Sequence, residues 1–405
     1  MKIVLLNYTV HHTPNTKIHT MFDLQKIVRP KIYSLEPYRC ARDDFTEGIL
    51  LDANENAHGP IPADLTKDTH LHRYPDPHQL QFKSAMAAYR NKTSDFKSVS
   101  GIKDLTADNM CLGVGSDESI DAIIRATCVP AKEKILVMPP TYSMYSVCAN
   151  INDVEVVQCP LIVDDNSFQV DTERSLAMLN ADPLIKLCFI TSPGNPTGAK
   201  ITPDRITTIL EGWDNGLVVV DEAYIDFCGG STAQLVTKYP NLVTLQTLSK
   251  SFGLAGIRLG MTYASVELSR ILNAMKAPYN ISSMTSDYAL SAVQSDSLQL
   301  MEETAAKMNK EQLRLVKALT ALDGVEDQYV GGLDANFIMV RINGGDNTMA
   351  KELYYKLATV SGVVVRFRGT ELGCTGCLRV TVGTKEENDK LIAEFEKTLA
   401  ALMKK

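Results

Sequence analysis

Seven short apolar runs constrain this chain more than any other feature. They lie near residues 109–113, 135–138, 154–158, 185–191, 217–220, 242–247 and 259–263, with stretches of helical length between most of them. Runs such as Leu217-Val-Val-Val220 are continuous rather than alternating, which is the pattern of strands buried on both faces. Strands of this kind separated by helices predict an α/β fold with a mostly parallel sheet, helices covering both sides. In open sheets of that type ligands bind beyond the carboxyl ends of the strands. Reactive groups are therefore to be sought just past the end of each run.

After the run Leu242-Val-Thr-Leu-Gln-Thr-Leu248 comes a lone lysine, Lys250, among small residues: Ser249, Ser251, Gly253, Ala255 and Gly256, with Arg258 just beyond. A lysine leaving a buried strand into a small-residue turn is a candidate for covalent attachment of a cofactor aldehyde. Arg258 offers a planar cation for a phosphate. A solvated surface turn is the plain alternative for this stretch on its own. Upstream, Asn195 sits in Ser192-Pro-Gly-Asn-Pro-Thr-Gly198 after one run, and Asp221 in Asp221-Glu-Ala-Tyr224 after another. The gaps between Asn195, Asp221 and Lys250 are each long enough for one crossover helix. An acid for a pyridinium nitrogen and a lysine for an aldehyde are what a protein contributes to pyridoxal phosphate (PLP) chemistry. Gly113-Val-Gly-Ser-Asp-Glu118 ends a further run. Its glutamate stands where a dinucleotide fingerprint needs a third glycine. As an anion cradle it fits, with Ser116 or Asp117 capping the helix and free N–H groups beside Ser249 and Arg258. Glu118, Asp121 and Arg125 recur at helical spacing and are expected to serve helix pairing and capping.

Composition removes competing classes. The formal net charge of −7 and sequence pI near 5.6 argue against a nucleic-acid or anionic-membrane surface. No apolar run approaches a membrane span. The seven histidines are His11, His12, His19, His58, His70, His72 and His78, so a serine or cysteine hydrolase would have to draw its base from the first fifth of the chain. Nine irregularly spaced cysteines read as reduced intracellular thiols. Cys374-Thr-Gly-Cys377 has no second pair or later histidine to complete a metal site, and no metal is expected.

The residues 247–256 resemble the PLP-attachment motif of class-II aminotransferases, within the fold-type-I PLP enzymes. From about Asp23 onward the chain is similar to the histidinol-phosphate aminotransferase family, through Leu35-Glu-Pro-Tyr38, Leu51-Asp-Ala-Asn-Glu55, Arg73-Tyr-Pro75, Gly115-Ser-Asp-Glu118, Pro139-Pro-Thr-Tyr-Ser-Met-Tyr145, Asp221-Glu-Ala-Tyr224 and Gly376-Cys-Leu-Arg-Val-Thr-Val-Gly383. The resemblance implies a large domain with a seven-stranded sheet, one strand antiparallel, and a small α+β domain. It implies a cytoplasmic homodimer exchanging an amino group between histidinol phosphate and 2-oxoglutarate, giving imidazole acetol phosphate and glutamate. It also implies roles: Lys250 as cofactor anchor and base, Asp221 on the pyridine nitrogen, Asn195 and Tyr224 on the ring hydroxyl, Tyr142 stacked on the ring. Ser116, Asp117, Ser249 and Arg258 would hold the cofactor phosphate, joined by Tyr74 from the neighbouring subunit. Arg379 would bind both substrate anions, with Arg366 and Tyr38 serving mainly the larger and more highly charged phosphate. Singly, Asp221 also reads as a cap, Asn195 as a turn residue and Tyr142 as core. An aromatic-amino-acid aminotransferase is the nearest alternative activity. An acyltransferase of the oxoamine-synthase kind is disfavoured because such enzymes carry histidine where Tyr224 stands. A regulatory PLP-binding protein would need an added module that is not seen.

Along the chain, residues 1–20 are expected to be a disordered extension or upstream sequence foreign to the natural product. Residues 21–70 are read as an N-terminal arm and part of the small domain, 71–290 as the large domain and 291–405 as the small one. The proline-rich stretch 29–62 is expected to be extended rather than helical. Helices are predicted over 79–89, 286–322, 347–358 and 385–402, and small-domain strands over 335–342, 362–367 and 378–382, with Gly344-Gly345 as a turn.

Overall fold

The computed structural model describes residues 22–36, 71–342 and 345–404. The expectations for residues 1–20, most of the N-terminal arm including Tyr38, and Gly344 lie outside them.

Each apolar run is a strand: β1 (Met110–Val114), β2 (Lys134–Val137), β3 (Glu155–Gln158), β4 (Ile185–Thr191), β5 (Leu217–Asp221), β6 (Leu242–Thr247) and β7 (Leu259–Tyr263). They form one sheet in the order β1-β7-β6-β5-β4-β2-β3. Only β7 is reversed, pairing antiparallel with both β1 and β6. Burial explains the continuous runs. Along β5, Val218 and Val220 pack into the hydrophobic cluster on one face, Leu217 and Val219 into that on the other. All five residues of β5 are buried. The expected α/β architecture with a mostly parallel seven-stranded sheet is the one observed.

A second sheet of four strands has the order β10-β11-β9-β8, from β8 (Val325–Val330), β9 (Phe337–Ile342), β10 (Arg366–Phe367) and β11 (Cys377–Thr381). Ile338, Val340 and Ile342 point into its own core with Leu353, Leu357 and Phe395. Met339, one step out of phase, joins the main core. A backbone strap ties the two sheets: Gly332 N donates to Thr197 O (2.9 Å) and Asp334 N to Gly198 O (2.9 Å).

Several local expectations need correcting. Pro30–Tyr33 is a turn of helix, because Pro30 occupies the first helical position, where no N–H is needed. That segment lies on the large sheet's helical layer: Leu24, Ile27 and Val28 pack with Ile120 and Ile123, and Tyr33 OH donates to Glu267 (2.6 Å). The helix expected over 79–89 runs Leu80–Thr93. The single helix expected over 286–322 is two, Ser283–Ala292 and Ser295–Leu319, because Gln294 is extended (φ −70°, ψ 153°). β8 was not anticipated, and the strand expected over 362–367 shrinks to β10.

The sheet's close approach to the next helix rests on a glycine. A Cβ built at Gly260 in β7 meets the backbone of Gly115 and Ser116, not a movable side chain. Gly260→Ala is expected to lower stability by about 2–3 kcal/mol, as overpacking does. Urea unfolding should show a lower midpoint at unchanged slope, and a midpoint equal to the parent's would show that the two backbones can part freely.

Candidate active site

Strand register brings distant residues to one edge. Thr191 stands beside Asp221, Asp221 beside Leu245, Thr247 beside Gly260 and Val114 beside Leu259. The ends of β1, β4, β5 and β6 thus align. Because β7 runs backwards, the residue before it, Arg258, arrives at the same edge. There a cleft of about 440 Å³ opens, roofed by the small sheet.

One end of the cleft is built to take an anion. Helix Gly115–Thr127 starts directly after β1, presenting the positive end of its dipole and the backbone N–H groups of its first turn. Its cap is Val114, with no side-chain capping bond. Ser116 and Asp117 therefore do not cap, contrary to expectation, and are turned to the cleft. Glu118 reaches back instead, its carboxylate accepting from Val114 N and from Asn280 Nδ2 (3.4 Å). Of the expected pairing and capping, Glu118 thus serves capping, bonding the N–H of the cap residue Val114, whereas Asp121 and Arg125 pair (2.8 Å). Gly115 N donates to Arg258 O (2.9 Å). Arg258 adopts the left-handed region (φ 55°), costing of order 1–3 kcal/mol for a residue with a side chain. The turn sets its guanidinium against Gly115, where a Cβ would collide with it. Arg258 Nη2 is 3.9 Å from Asp117 Oδ2. Ser249 completes this end, its N–H donating to Thr247 Oγ1 (3.1 Å).

Lys250 projects into the middle. Its turn closes through Gly253 N donating to Lys250 O (3.0 Å). Beneath it Ser251 Oγ donates to Asp226 Oδ2 (2.5 Å), and Asp226 forms a buried ion pair with Arg90 (2.7 Å). Lys250 Nζ lies 5.6 Å from the Tyr224 ring centre. Desolvation within the cleft, then the charge of Arg379, push its amine below the ordinary lysine value, against the pull of Asp117 and Asp221. A lowered value raises the neutral, nucleophilic fraction near neutral pH.

Asp221 lies at the floor, 3% exposed. Burial pushes its carboxyl up to about 6, while bonds from Tyr145 OH (2.7 Å) and Ala223 N (3.2 Å) hold it down. Tyr145 is itself fully buried, stacked on Phe189 at 4.6 Å, and its hydroxyl also meets Thr191 (2.8 Å). Tyr142 packs edge-on against Tyr145 (5.6 Å) and donates to Asp117 (3.1 Å). The opposite wall carries Arg366, Arg368 and Arg379. Arg366 and Arg379 are register partners across β10 and β11. Asn195 Oδ1 accepts from Arg379 Nη1 and from Arg368 Nη2 (3.4 Å).

Of the residues singled out from sequence, Ser116, Asp117, Tyr142, Asn195, Asp221, Tyr224, Ser249, Lys250, Arg258, Arg366 and Arg379 line this cleft. Tyr74 does not; it stands at the surface, stacked on Tyr279 at 4.6 Å. Tyr38 is outside the described residues. Sequence reasoning missed Arg368, although two residues beyond Arg366 on a strand is the same face. It also missed Tyr145 as partner of Asp221, and the Arg90–Asp226 pair, for which the sequence carries no signal. The donor set fits PLP: an anion cradle, an amine, and a buried carboxylate whose hydrogen-bond donors, Tyr145 and Ala223, are both neutral. That carboxylate can pair a protonated ring nitrogen.

The aminotransferase class I and II family matches residues 46–395. The histidinol-phosphate aminotransferase of Saccharomyces cerevisiae is 75% identical over 382 residues, covering 94% of this chain and 99% of that protein. The enzyme of the same name from Candida maltosa is 52% identical, covering 94% and 99%. Among solved structures, a histidinol-phosphate aminotransferase from Sinorhizobium meliloti in complex with pyridoxal-5'-phosphate superposes with a TM-score of 0.71 at 21% identity, covering 86% of this chain and 90% of that one. This last likeness is one of fold.

The raised Asp221 value has a consequence for stability. Between its ordinary 3.8 and about 6 the folded state holds a proton that the unfolded chain has released. Stability therefore falls as pH rises through that window, by on the order of 3 kcal/mol, and the deficit persists above it. In ligand-free protein Asp221→Asn should melt higher than the parent at pH 7.5, the gap closing towards pH 4. Equal melting temperatures at both pH values would show that the carboxylate carries no cost where it sits.

Proposed function

The chain belongs to the class I and II aminotransferase family, and on that premise we propose that its cleft exchanges an amino group between histidinol phosphate and 2-oxoglutarate, a step of histidine biosynthesis. The observation that carries this reading is the convergence on one cleft of a depressed lysine amine, a buried carboxylate, an anion cradle and a wall of arginines.

When bound, PLP supplies an aldehyde for the substrate amine and an electron sink for the charge that develops at Cα. Lys250 is the residue that would hold that aldehyde, and its amine would serve as the base that takes the Cα proton and returns it. A neutral amine suits both tasks, and the lowered value provides it. Asp221 would keep the ring nitrogen protonated. Asn195 and Tyr224 would serve the ring hydroxyl, with Tyr142 beside the ring. Ser116, the helix N–H groups including that of Asp117, Ser249 and Arg258 would hold the phosphate. Arg379 takes the substrate anion beside the reacting carbon, a carboxylate in glutamate and a phosphate in histidinol phosphate, with Arg366 and Tyr38 assisting. Paired guanidinium hydrogen bonds suit both anions.

We further assign the active form to a cytoplasmic homodimer in which Tyr74 serves the neighbouring subunit's phosphate site. The support is its exposed place beside Tyr279, away from its own cleft.

Purified protein given histidinol phosphate and 2-oxoglutarate should form glutamate, and Lys250→Ala should abolish that turnover because anchor and base vanish together. Near-parental steady-state activity in Lys250→Ala would overturn the mechanism. Mixing inactive Tyr74→Ala and Lys250→Ala chains should restore activity, since hybrid dimers regain one intact site. Confirmed subunit exchange without restored activity would mean self-contained sites.

A further inference from the structure

The substrate wall holds one arginine more than the reaction's two anions have been assigned. Arg366 and Arg368 are two residues apart at β10, so they share a face, and both line the cleft with Arg379. The backbone fixes Arg368 there, its N–H donating to Cys377 O (2.9 Å). Its guanidinium is clamped from behind by Glu371, Nη1 to Oε1 at 2.6 Å, with the two side chains 19% and 24% exposed. Its remaining observed bond is a long one, Nη2 to Asn195 Oδ1 at 3.4 Å, and that oxygen already accepts from Arg379. Arg368 Nε is buried without a hydrogen-bond partner, as is Glu371 Oε2.

Charge balance gives this cluster a purpose. Three guanidinium groups against one carboxylate leave the wall at a net charge of about +2. The like charges strain each other: burial, then Arg368, lower the Arg379 value below the ordinary arginine one. The α-carboxylate that glutamate or 2-oxoglutarate presents here, its second carboxylate lying on the other side of the reacting carbon, would leave one charge uncompensated, whereas a phosphate carries nearly two. We propose that Arg368, held by Glu371, is the residue that fits this wall to the phosphate of the amine substrate, and that it contributes little to the carboxylate partner. This rests on the reaction proposed for the cleft. Asn195 Oδ1, a neutral acceptor shared by two cations, marks where the guanidinium N–H groups rest until a stronger acceptor arrives.

The two substrates enter in turn, so kcat/KM for each reports its own half of the reaction. Arg368→Gln, which keeps a donor for Asn195 but loses the charge, should lower kcat/KM for histidinol phosphate by about ten- to a hundredfold. The value for 2-oxoglutarate should change less than about threefold. Arg368→Lys should recover part of the loss. Calorimetric titration of inorganic phosphate and of glutamate into the same variants gives a readout separate from turnover. Phosphate affinity should fall in Arg368→Gln and glutamate affinity should hold. Equal losses for both substrates would mean that Arg368 acts through Asn195 and would overturn the proposal, as would no loss for either. A parent protein with no turnover of histidinol phosphate refutes the underlying reaction instead, and that result is visible before any variant is made.

Discussion

A strand buried on both faces has no place along its length for a charge. All five side chains of β5 are buried, and four of the five are hydrocarbon; the first carboxylate appears at its last residue, Asp221. The same holds for β6, which ends just before Ser249 and Lys250, and for β4 beyond Lys186 near its start, the buried run Leu187–Ile190 giving way to its polar turn. Desolvation thus sorts the chemistry to the strand ends, and parallel register gathers those ends at one edge. The reversed β7 is the exception that completes the arrangement. Its start, not its finish, meets that edge, so Arg258 faces the helix opening after β1 across a single backbone hydrogen bond.

Electrostatics then divides the cleft. The cradle at Gly115–Asp117 and Arg258 favours an anion, while Asp221 lies at the floor among neutral donors and favours a cation. Lys250 stands between, and its value reflects both neighbourhoods: desolvation and Arg379 depress it, Asp117 and Asp221 oppose them. The buried Arg90–Asp226 pair beneath Ser251 contributes no chemistry of its own but fixes the turn from which the lysine projects. Removing either partner would leave an unpaired buried charge, so this support is coupled to the integrity of the main core.

Legibility in the sequence followed burial. The inner strands of the large sheet, such as β5 and β6, matched their apolar runs closely, because two buried faces leave no alternation to misread; β3, at the edge and without a buried residue, is legible from Val156 and Val157 alone. β8 escaped because Val325-Glu-Asp-Gln-Tyr-Val330 is a sheet-edge strand with only its outer residues buried. The stretch before β10 looked like a strand from Val363, Val364 and Val365, yet Val364 is 77% exposed and only Arg366 and Phe367 pair. Pro30 read as a breaker but sits where a helix tolerates it. At the site, residues with distinctive chemistry at strand ends were legible, whereas Tyr145 looked like core and is core, with one hydroxyl that matters. Arg368 escapes because the resemblance that points to Arg366 and Arg379 says nothing of the residue two places beyond Arg366, level with Cys377 rather than Arg379.

Asn195 shows how the two sheets come to act as one site. A carboxamide has one oxygen to accept and one NH2 to donate. With the oxygen engaged by the arginines of the small sheet, the amide's orientation is set, and its NH2 is the group left for the proposed contact with the cofactor ring. The turn that carries Asn195 is the same one that straps the small sheet to the large through Thr197 and Gly198. A substrate anion that drew Arg379 or Arg368 off that oxygen would therefore free the Asn195 carboxamide, the side chain proposed to serve the cofactor ring, while leaving the backbone strap in place. In the proposed reaction substrate occupancy and cofactor environment would thus be linked through a single side chain, by exchange of one acceptor for another rather than by movement of either sheet.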